Sequence, residues 1–425
     1  MRLTLLTWGT RGDIQPYVAL GTGLQAAGHT VRLAAPALFK DMVIEHGLEF
    51  FPLAGDPRQM IANETTNTRL ETRNPLQAMR HITQLFAPLI EPMLDDGLKA
   101  CAGADAIIYG PFVWAGAHIA EALDVPCMLA VLCPLYPTSA FPNPMTVPNS
   151  SLGGLLNRST HTMSLKWTWF PYQREINRLR HSRLGLRPLR FAGSMYGACE
   201  KRLPQLMGYS AHVMPKPSDW PEWVHVTGYW FLPPAPAWRP PAKLVAFLED
   251  GPPPLYIGFG SMHSANAEHD TTVVLKSLAA LKQRAILTSG WGGLRPSDLS
   301  DQVFMVDAVP HDWLFPQMRA LVHHGGGGTV GAGLCAGVPS VIVPFLAEQP
   351  FWGHRLHTLG VSPPVIPHQQ LSVGALTAAL KKVIHDERMQ QRVAALGEQI
   401  RAEDGIHSAT TIIEEQAQQR LTARF

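Results

Sequence analysis

Between Leu321 and Gly353 the chain reads LVHHGGGGTVGAGLCAGVPSVIVPFLAEQPFWG. An apolar run ends in His323 and His324. Gly325, Gly326, Gly327 and Gly328 follow, then Thr329 and a small-residue stretch that stops at Gly337. A second apolar run, Ser340 to Pro344, leads to Glu348 and Gln349. The pattern reads as strand, glycine loop, helix, strand. Glycines let a backbone approach a bulky ligand closely. With Thr329 read as N-cap, free amides and the positive helix end face the loop. Such a site suits an anion, and a diphosphate is the commonest biological one. Glu348 and Gln349 could then grip hydroxyls on whatever the diphosphate carries. A rival reading uses the same residues. Gly326, Gly328 and Gly331 satisfy the dinucleotide fingerprint, with Glu348 about 20 residues on, where a ribose-binding acid would sit. A Walker-type loop is excluded because no Lys follows the glycines.

A second constellation follows the first apolar run: Gly9, Thr10, Arg11, Gly12 and Asp13, just before a helix expected to begin near Gln15 and Pro16. Capping that helix is the commonest use of an Asp there. A carboxylate on a loop after a strand is also a candidate general base.

These residues need a scaffold, and its period is legible. Strands are expected at Arg2 to Trp8, Thr30 to Ala35, Leu48 to Leu53, Asp105 to Tyr109 and Cys127 to Leu132. Helices are expected at Pro16 to Ala27, Leu38 to His46 and Trp114 to Leu123. This alternation argues for a doubly wound parallel sheet. Residues from about Asn143 to Met214 depart from it and read as added helices and loops. Leu232 to Ala242 has five prolines in eleven residues and reads as a stiff linker. Alternation then restarts, with strands at Pro254 to Phe259, Ala285 to Thr288, Val303 to Val306 and Ala320 to His323. Helices are expected at Thr271 to Lys282, Leu371 to His385 and Arg388 to Ala402. The expected organisation is α/β: a domain over residues 1–231, the linker 232–242, a domain over 243–404, and a polar tail or helix, 405–425, whose return onto the first domain is left open.

Composition removes several function classes. The 425 residues are 46% hydrophobic and 16% charged, with a net charge of +2. No basic stripe marks a nucleic-acid partner. Cys101, Cys127, Cys133, Cys199 and Cys335 lack metal-ligand spacing and read as buried reduced thiols in a cytoplasmic protein. The N-terminus reads as a strand, with no signal-peptide cleavage region. No apolar stretch is long enough to span a membrane.

HHGGGGT followed by EQPFWG resembles the nucleotide-sugar site of the UDP-glycosyltransferase superfamily, in its bacterial and sterol glucosyltransferase branch and that branch's antibiotic-aglycone relatives. GTRGD-x-x-P-Y-x-A-L-G resembles the first loop of the same proteins. The resemblance implies a GT-B fold, two Rossmann-like domains facing each other across a cleft, with acceptor bound mainly by the first domain and donor by the second. It implies that Asp13 takes the acceptor proton, with Thr10 and Gly12 placed near the developing diphosphate. His324, Gly325, Gly326, Gly328 and Thr329 would hold the diphosphate, while His323 would be structural. Gly258, Gly260 and Ser261 resemble the donor-side loop. Val309 and His311 match the place where backbone reads the pyrimidine. Trp291 either borders the base or is a surface aromatic. Two departures stand out: Ala332 replaces the ribose-binding Glu of plant relatives, and Glu348 replaces the usual Asp.

The implied reaction is metal-independent, inverting transfer from a nucleoside-diphosphate sugar, UDP-glucose by preference, to a hydroxyl of a lipophilic alcohol or phenol. No D-x-D motif is present. No cofactor is expected, the nucleotide sugar being a co-substrate, and no metal. Trp114, Trp167, Trp169, Phe170 and Tyr172, with the loop Cys133 to Pro144, are candidates for the acceptor side. A lipophilic acceptor is compatible with weak peripheral membrane contact. An NAD(P)-dependent oxidoreductase and a catalytically silent sugar-nucleotide binder are the alternatives.

Overall fold

Runs of Leu, Ile, Val and Ala only a few residues long, apolar at nearly every position, form strands buried on both faces of a parallel sheet. The computed structural model describes residues 1–62, 83–146, 151–189, 203–262, 266–290 and 299–422. Trp291 and Cys199 lie outside these described residues. The chain divides into two compact units. The first is Met1–Ala211, Pro215–Leu232 and Asp404–Phe425; the second is His212–Met214 and Pro233–Glu403.

The first unit is built on β1 (Arg2–Leu6), β2 (Thr30–Pro36), β3 (Glu49–Leu53), β4 (Ala106–Tyr109), β5 (Cys127–Val131), β6 (Gln205–Met207) and β7 (Val224–Val226). They pair in the order β3-β2-β1-β4-β5-β6-β7, all parallel. Every residue of β4 and β5 is buried. Its helices are α1 (Arg11–Ala26), α2 (Lys40–Glu45), α3 (Pro57–Ala62), α4 (Ile90–Ala100), α5 (Ala115–Leu123), α6 (Gly154–Trp169) and α7 (Gln173–Leu184). The strand order reverses between β1 and β4. Ligands of doubly wound sheets bind outside the strand ends at such a point. The loop after β1 carries Gly9 and Thr10 and leads into α1, which holds Asp13.

Helix α1 begins five residues before the expected start at Pro16. Thr10 is its N-cap, with extended backbone, and Pro16 lies inside the helix. Proline at the first helical position is a common start signal. Here it sits a turn deeper, where its missing N–H leaves the Gly12 carbonyl without the usual intrahelical donor.

The second unit comprises α8 (Ala242–Glu249), β8 (Leu255–Gly258), α9 (Ala267–Leu281), β9 (Ala285–Thr288), β10 (Val303–Val306), α10 (His311–Leu314), β11 (Ala320–His323), α11 (Gly327–Cys335), β12 (Ser340–Ile342), α12 (Gln349–Thr358), α13 (Val373–His385) and α14 (Glu387–Ala402). Its parallel sheet has the order β10-β9-β8-β11-β12. The reversal lies between β8 and β11, so the loops after these two strands flank the switch point. One face of the sheet packs Leu255, Ile257, Val322 and Val341 against Val274, Leu376 and Leu380. The other packs Tyr256, Ile286 and Leu321 against Leu314, Phe315 and Leu244.

The polar tail is helical: α15 (Gly405–Thr422) belongs to the first unit. Ala409, Ile413 and Ala417 are fully buried along one narrow stripe. Ile406 lies where a Cβ on Gly23 of α1 would fall. His29 Nε2 meets Glu414 Oε1 at 2.8 Å. Of the cysteines, Cys101 and Cys127 are buried, whereas Cys133 and Cys335 are only half-buried. The expectation of buried thiols therefore holds for part of the set.

Candidate functional site

In the first unit, Asp13 occupies the third position of α1 rather than capping it. The Thr10 amide donates to Asp13 Oδ2 at 2.7 Å, and the Thr10 hydroxyl donates to the same oxygen at 3.0 Å. This is the reciprocal arm of a capping box, so Thr10 and Asp13 are brought together by local helix chemistry. Gly9 has φ +138° and abuts the carboxylate; a Cβ there would overlap Asp13 Oδ2. Burial raises the Asp13 carboxyl from 3.8 to about 6, and the two hydrogen bonds from Thr10 oppose that rise. A base with such a pKa is ionised at neutral pH yet basic enough to accept a proton. The Tyr17 hydroxyl, one turn on, donates to the Ala130 carbonyl at 2.5 Å. A Cβ on Gly12 would meet the Thr10 hydroxyl oxygen at 3.7 Å, an ordinary contact. The sequence places Gly9 in this loop but assigns it no role against the carboxylate. Its signal was the glycine immediately before a Thr-x-x-Asp helix start.

In the second unit, β11 delivers both histidines to the switch point. His323 is fully buried. The Gly325 amide donates to His323 Nδ1 at 3.2 Å, which fixes the neutral tautomer with its proton on Nε2. Burial, with His324 and His311 nearby, holds its pKa well below the usual value. His323 thus shapes the turn. His324 is half-buried, and desolvation lowers its pKa to about 4, so it is neutral at physiological pH. Its Nδ1 is buried and has no hydrogen-bond partner. The ring lies between Gly260, at φ +61°, and Gly326; a Cβ on either would press into it.

Thr329 is not the N-cap of the following helix. Gly326 caps α11, and Thr329 is its third residue. The sequence offered Thr329 as the only side chain able to cap, but the chain turns into the helix on backbone alone. The free amides are consequently those of Gly327, Gly328 and Thr329, with the positive helix end behind them. A Cβ on Gly328 would meet nothing within 4 Å. Ala332, at the place of the plant ribose-binding acid, packs partly buried against the core.

The loop after β8 carries Gly260 and Ser261. Gly258 closes β8, with no room for a side chain beside Thr288 and Tyr256. Val309 is buried. The His311 ring stacks on Phe315 at 4.2 Å and 14°. His311 Nε2 lies 3.5 Å from the Tyr256 hydroxyl. This side chain is packing material, so recognition of a base at 309–311 would use backbone.

Glu348 is half-buried and is the N-cap of α12. Gln349 departs from the expected grip on a ligand. It is 3% exposed, and its Oε1 accepts from the Phe345 and Leu346 amides at 2.8 and 3.2 Å. Its Nε2 donates to Met262 Sδ at 3.3 Å. These bonds hold a loop in which Ala347 takes φ +57°, a left-handed conformation that is strained for a side-chain-bearing residue. Trp352 is fully buried and Gly353 packs on Ile342, so the QPFWG segment fixes the loop from below. Of the pair, Glu348 is the side chain whose carboxylate is not committed to the loop's own amides. Among the described residues no group of three or more His, Cys, Asp or Glu side chains is placed to hold a metal ion.

On the acceptor candidates, Trp114, Trp169 and Tyr172 are buried in the first unit, whereas Trp167 and Phe170 are each 42% exposed. The loop Cys133 to Pro144 is tied down by Asp219, whose carboxylate accepts from the Thr138 hydroxyl at 2.6 Å and the Ser139 amide at 2.7 Å.

Residues 3–142 match the glycosyltransferase family 28 N-terminal domain, and residues 254–402 match the family UDP-glucoronosyl and UDP-glucosyl transferase. The chain is similar to two sterol 3-beta-glucosyltransferases of Arabidopsis thaliana. One is 39% identical, with 96% of this chain and 64% of the relative covered; the other is 38% identical, with 96% and 67% covered. The chain spans only 30% of a sterol 3-beta-glucosyltransferase of Aspergillus terreus, to which it is 37% identical over 97% of its own length. In fold it is similar to the glycotransferase of kitacinnamycin, with a TM-score of 0.70, 20% identity and 98% of each chain covered. These findings do not favour the dinucleotide reading of Gly326, Gly328 and Gly331. Two Rossmann-like units, a histidine packed against a glycine-capped helix start, and likeness along both units lead to one conclusion: the chain belongs to the UDP-glycosyltransferase superfamily, among its sterol glucosyltransferase-like members.

Proposed function

We propose that the protein transfers a hexosyl group, glucose from UDP-glucose in the first instance, to a hydroxyl of a lipophilic small molecule such as a sterol. The observation that carries this reading is the start of α11. Three amides without intrahelical partners and a neutral histidine clamped between Gly260 and Gly326 form a cradle for a diphosphate. Sterol 3-beta-glucosyltransferases are the named activity of the relatives aligned along nearly the whole chain.

The acceptor oxygen attacks the anomeric carbon, and the bond from that carbon to the β-phosphate oxygen breaks. The electron pair leaves with the nucleoside diphosphate, and the acceptor proton passes to the Asp13 carboxylate. Configuration inverts because there is one displacement. Thr10 holds Asp13 through two hydrogen bonds, and burial tunes its basicity. Charge developing on the diphosphate is met by the amides of Gly327 to Thr329 and by His324, donors whose positions are set beforehand. Glu348 reads sugar hydroxyls, and Gln349 holds the loop that presents it. This route asks for no divalent cation.

The test is calorimetric binding of UDP and of uridine to the wild type and to His324→Ala, with turnover of UDP-glucose and a detergent-dispersed sterol measured with and without chelator. The variant should lose UDP affinity and keep its uridine affinity. Equal losses for both ligands would move His324 out of the diphosphate site. A strict metal requirement would overturn the proposed route.

A further inference from the structure

The loop that carries Glu348 is held from behind by an acid–histidine pair that the diphosphate cradle does not use. Asp270, in the first turn of α9, is 2% exposed. Its Oδ2 accepts from His368 Nε2 at 2.7 Å. The His368 ring lies flat on Phe345, with ring centroids 4.0 Å apart and planes 19° apart. The His368 amide donates to the Pro344 carbonyl at 3.2 Å. Phe345 in turn lies 5.3 Å from Phe259, the residue before Gly260. A column of side chains therefore runs from Asp270 through His368 and Phe345 to the start of the loop that presses on His324. Gln349, bonded to Met262 and to the Phe345 and Leu346 amides, ties the same two loops a second time.

Packing alone does not account for the pair. Two leucines would fill this space with no carboxylate to desolvate, and a buried ionic pair is often no more stable than apolar residues of similar volume. What an acid and a histidine add is direction. With Nε2 bound to Asp270, the plane of the ring is fixed, and so is the face it turns to Phe345. The loop needs such guidance. Ala347 is held at φ +57°, a conformation that persists only where the surroundings over-determine it. Leu346 is 42% exposed and gives the loop little apolar anchorage of its own. We propose that His368, oriented by Asp270, is a positioning residue for the donor sugar: through Phe345 it fixes residues 344–348, and with them the place of Glu348 relative to the diphosphate cradle. In the donor reading on which this inference rests, Glu348 meets the sugar and the start of α11 meets the diphosphate. A displaced loop changes the first contact and leaves the second as it was.

The test replaces the pair by apolar residues, Asp270→Leu with His368→Leu, and compares UDP affinity by calorimetry with kcat/KM for UDP-glucose. UDP affinity should match the wild type and the thermal melt should be no lower. By contrast, kcat/KM should fall about tenfold or more, because a contacting group has been misplaced. His368→Gln keeps an N–H donor for Asp270 and removes only the ring, so it should show the same split even if the leucine variant does not fold. Added to Glu348→Ala, either change should cost little further, since both act on one interaction. Equal losses for UDP and UDP-glucose, or losses that multiply with that of Glu348→Ala, would reduce the pair to general support of the fold and overturn the proposal. Wild-type kcat/KM in the variants would overturn it too. A wild type that does not bind UDP would remove the donor reading and this inference with it, a failure visible before any variant is made.

Discussion

Replacing Asp13 by Asn should cost the protein its activity and increase its stability, and the two effects have one cause. Asn keeps an oxygen for the Thr10 amide but cannot accept a proton. Transfer should fall by about 10²–10⁴-fold, with UDP affinity unchanged. Burial raises the Asp13 pKa from 3.8 to about 6. At 1.36 kcal/mol per unit, this corresponds to about 3 kcal/mol of destabilisation when the group is ionised, as an order of magnitude. Because the folded-state value is the raised one, the stabilising share belongs to the protonated form. It is complete below the unfolded pKa near 4 and is lost as pH rises through about 6. The variant should therefore melt with the wild type near pH 4 and several degrees above it near pH 8, at about 2–4 °C per kcal/mol. Differential scanning calorimetry across that range reads the stability effect. A pH profile of kcat/KM for the wild type should show an acid limb near 6. A variant with near-normal turnover would refute Asp13 as base. A variant that gains nothing at high pH would refute the desolvated carboxylate.

Binding of UDP near pH 5.5 should take up protons, because an adjacent diphosphate raises a His324 pKa that stands at about 4 in the free protein; titration in buffers of different ionisation enthalpy reads the uptake, uridine should cause none, and uptake near zero for UDP would separate His324 from the phosphates. Gly326→Ala should push the His324 ring aside and weaken UDP about tenfold or more while the fold survives; unchanged affinity in a titration would show that the clamp on the ring does no work. Glu348→Ala should lower transfer and relax discrimination among donors differing at ring hydroxyls, and Glu348→Asp tests the extra methylene; a wild-type donor ranking in both variants would remove Glu348 from sugar recognition. Gln349→Ala should destabilise the loop around Ala347 by about 1–3 kcal/mol, since the Phe345 and Leu346 amides lose their acceptor; an unchanged melt would contradict that role.

The sheet strands were legible because parallel strands buried on both faces leave continuous apolar runs, and Ala285 to Thr288, Val303 to Val306 and Ala320 to His323 match residue for residue. Helix starts were less legible. Pro16 and Thr329 carry local signals for a start and a cap, but the chain places them deeper in the helix, where Thr10 and Gly326 do the capping. The three-residue strands β6 and β7 leave too short a pattern to separate from loop, and each is fixed by pairing with a distant neighbour. Helix α15 hid its apolar stripe among polar residues because Ala409, Ile413 and Ala417 are small or widely spaced. At the site, the residue types alone raised the chemistry proposed for Asp13 and His324. What they could not announce was the second partner of each group. Gly9 against Asp13 depends on a positive φ at Gly9, Gly260 against His324 is a contact between two loops, and Gln349 turned inward only because Met262 and two backbone amides meet it there.

Helix α15 bears on how the protein is made. The first unit takes its last helix from residues that follow the whole second unit in the chain. On the ribosome, residues 233–403 emerge and can complete their own fold while the N-terminal sheet still lacks the partner that covers α1. During that interval Gly23 and the His29 side chain wait for Ile406 and Glu414. A nascent chain stalled after Glu403 would therefore hold a finished second unit and an unfinished first unit. Synthesis order itself delays the moment at which Asp13 stands on a completed scaffold until the final turns of α15 are released.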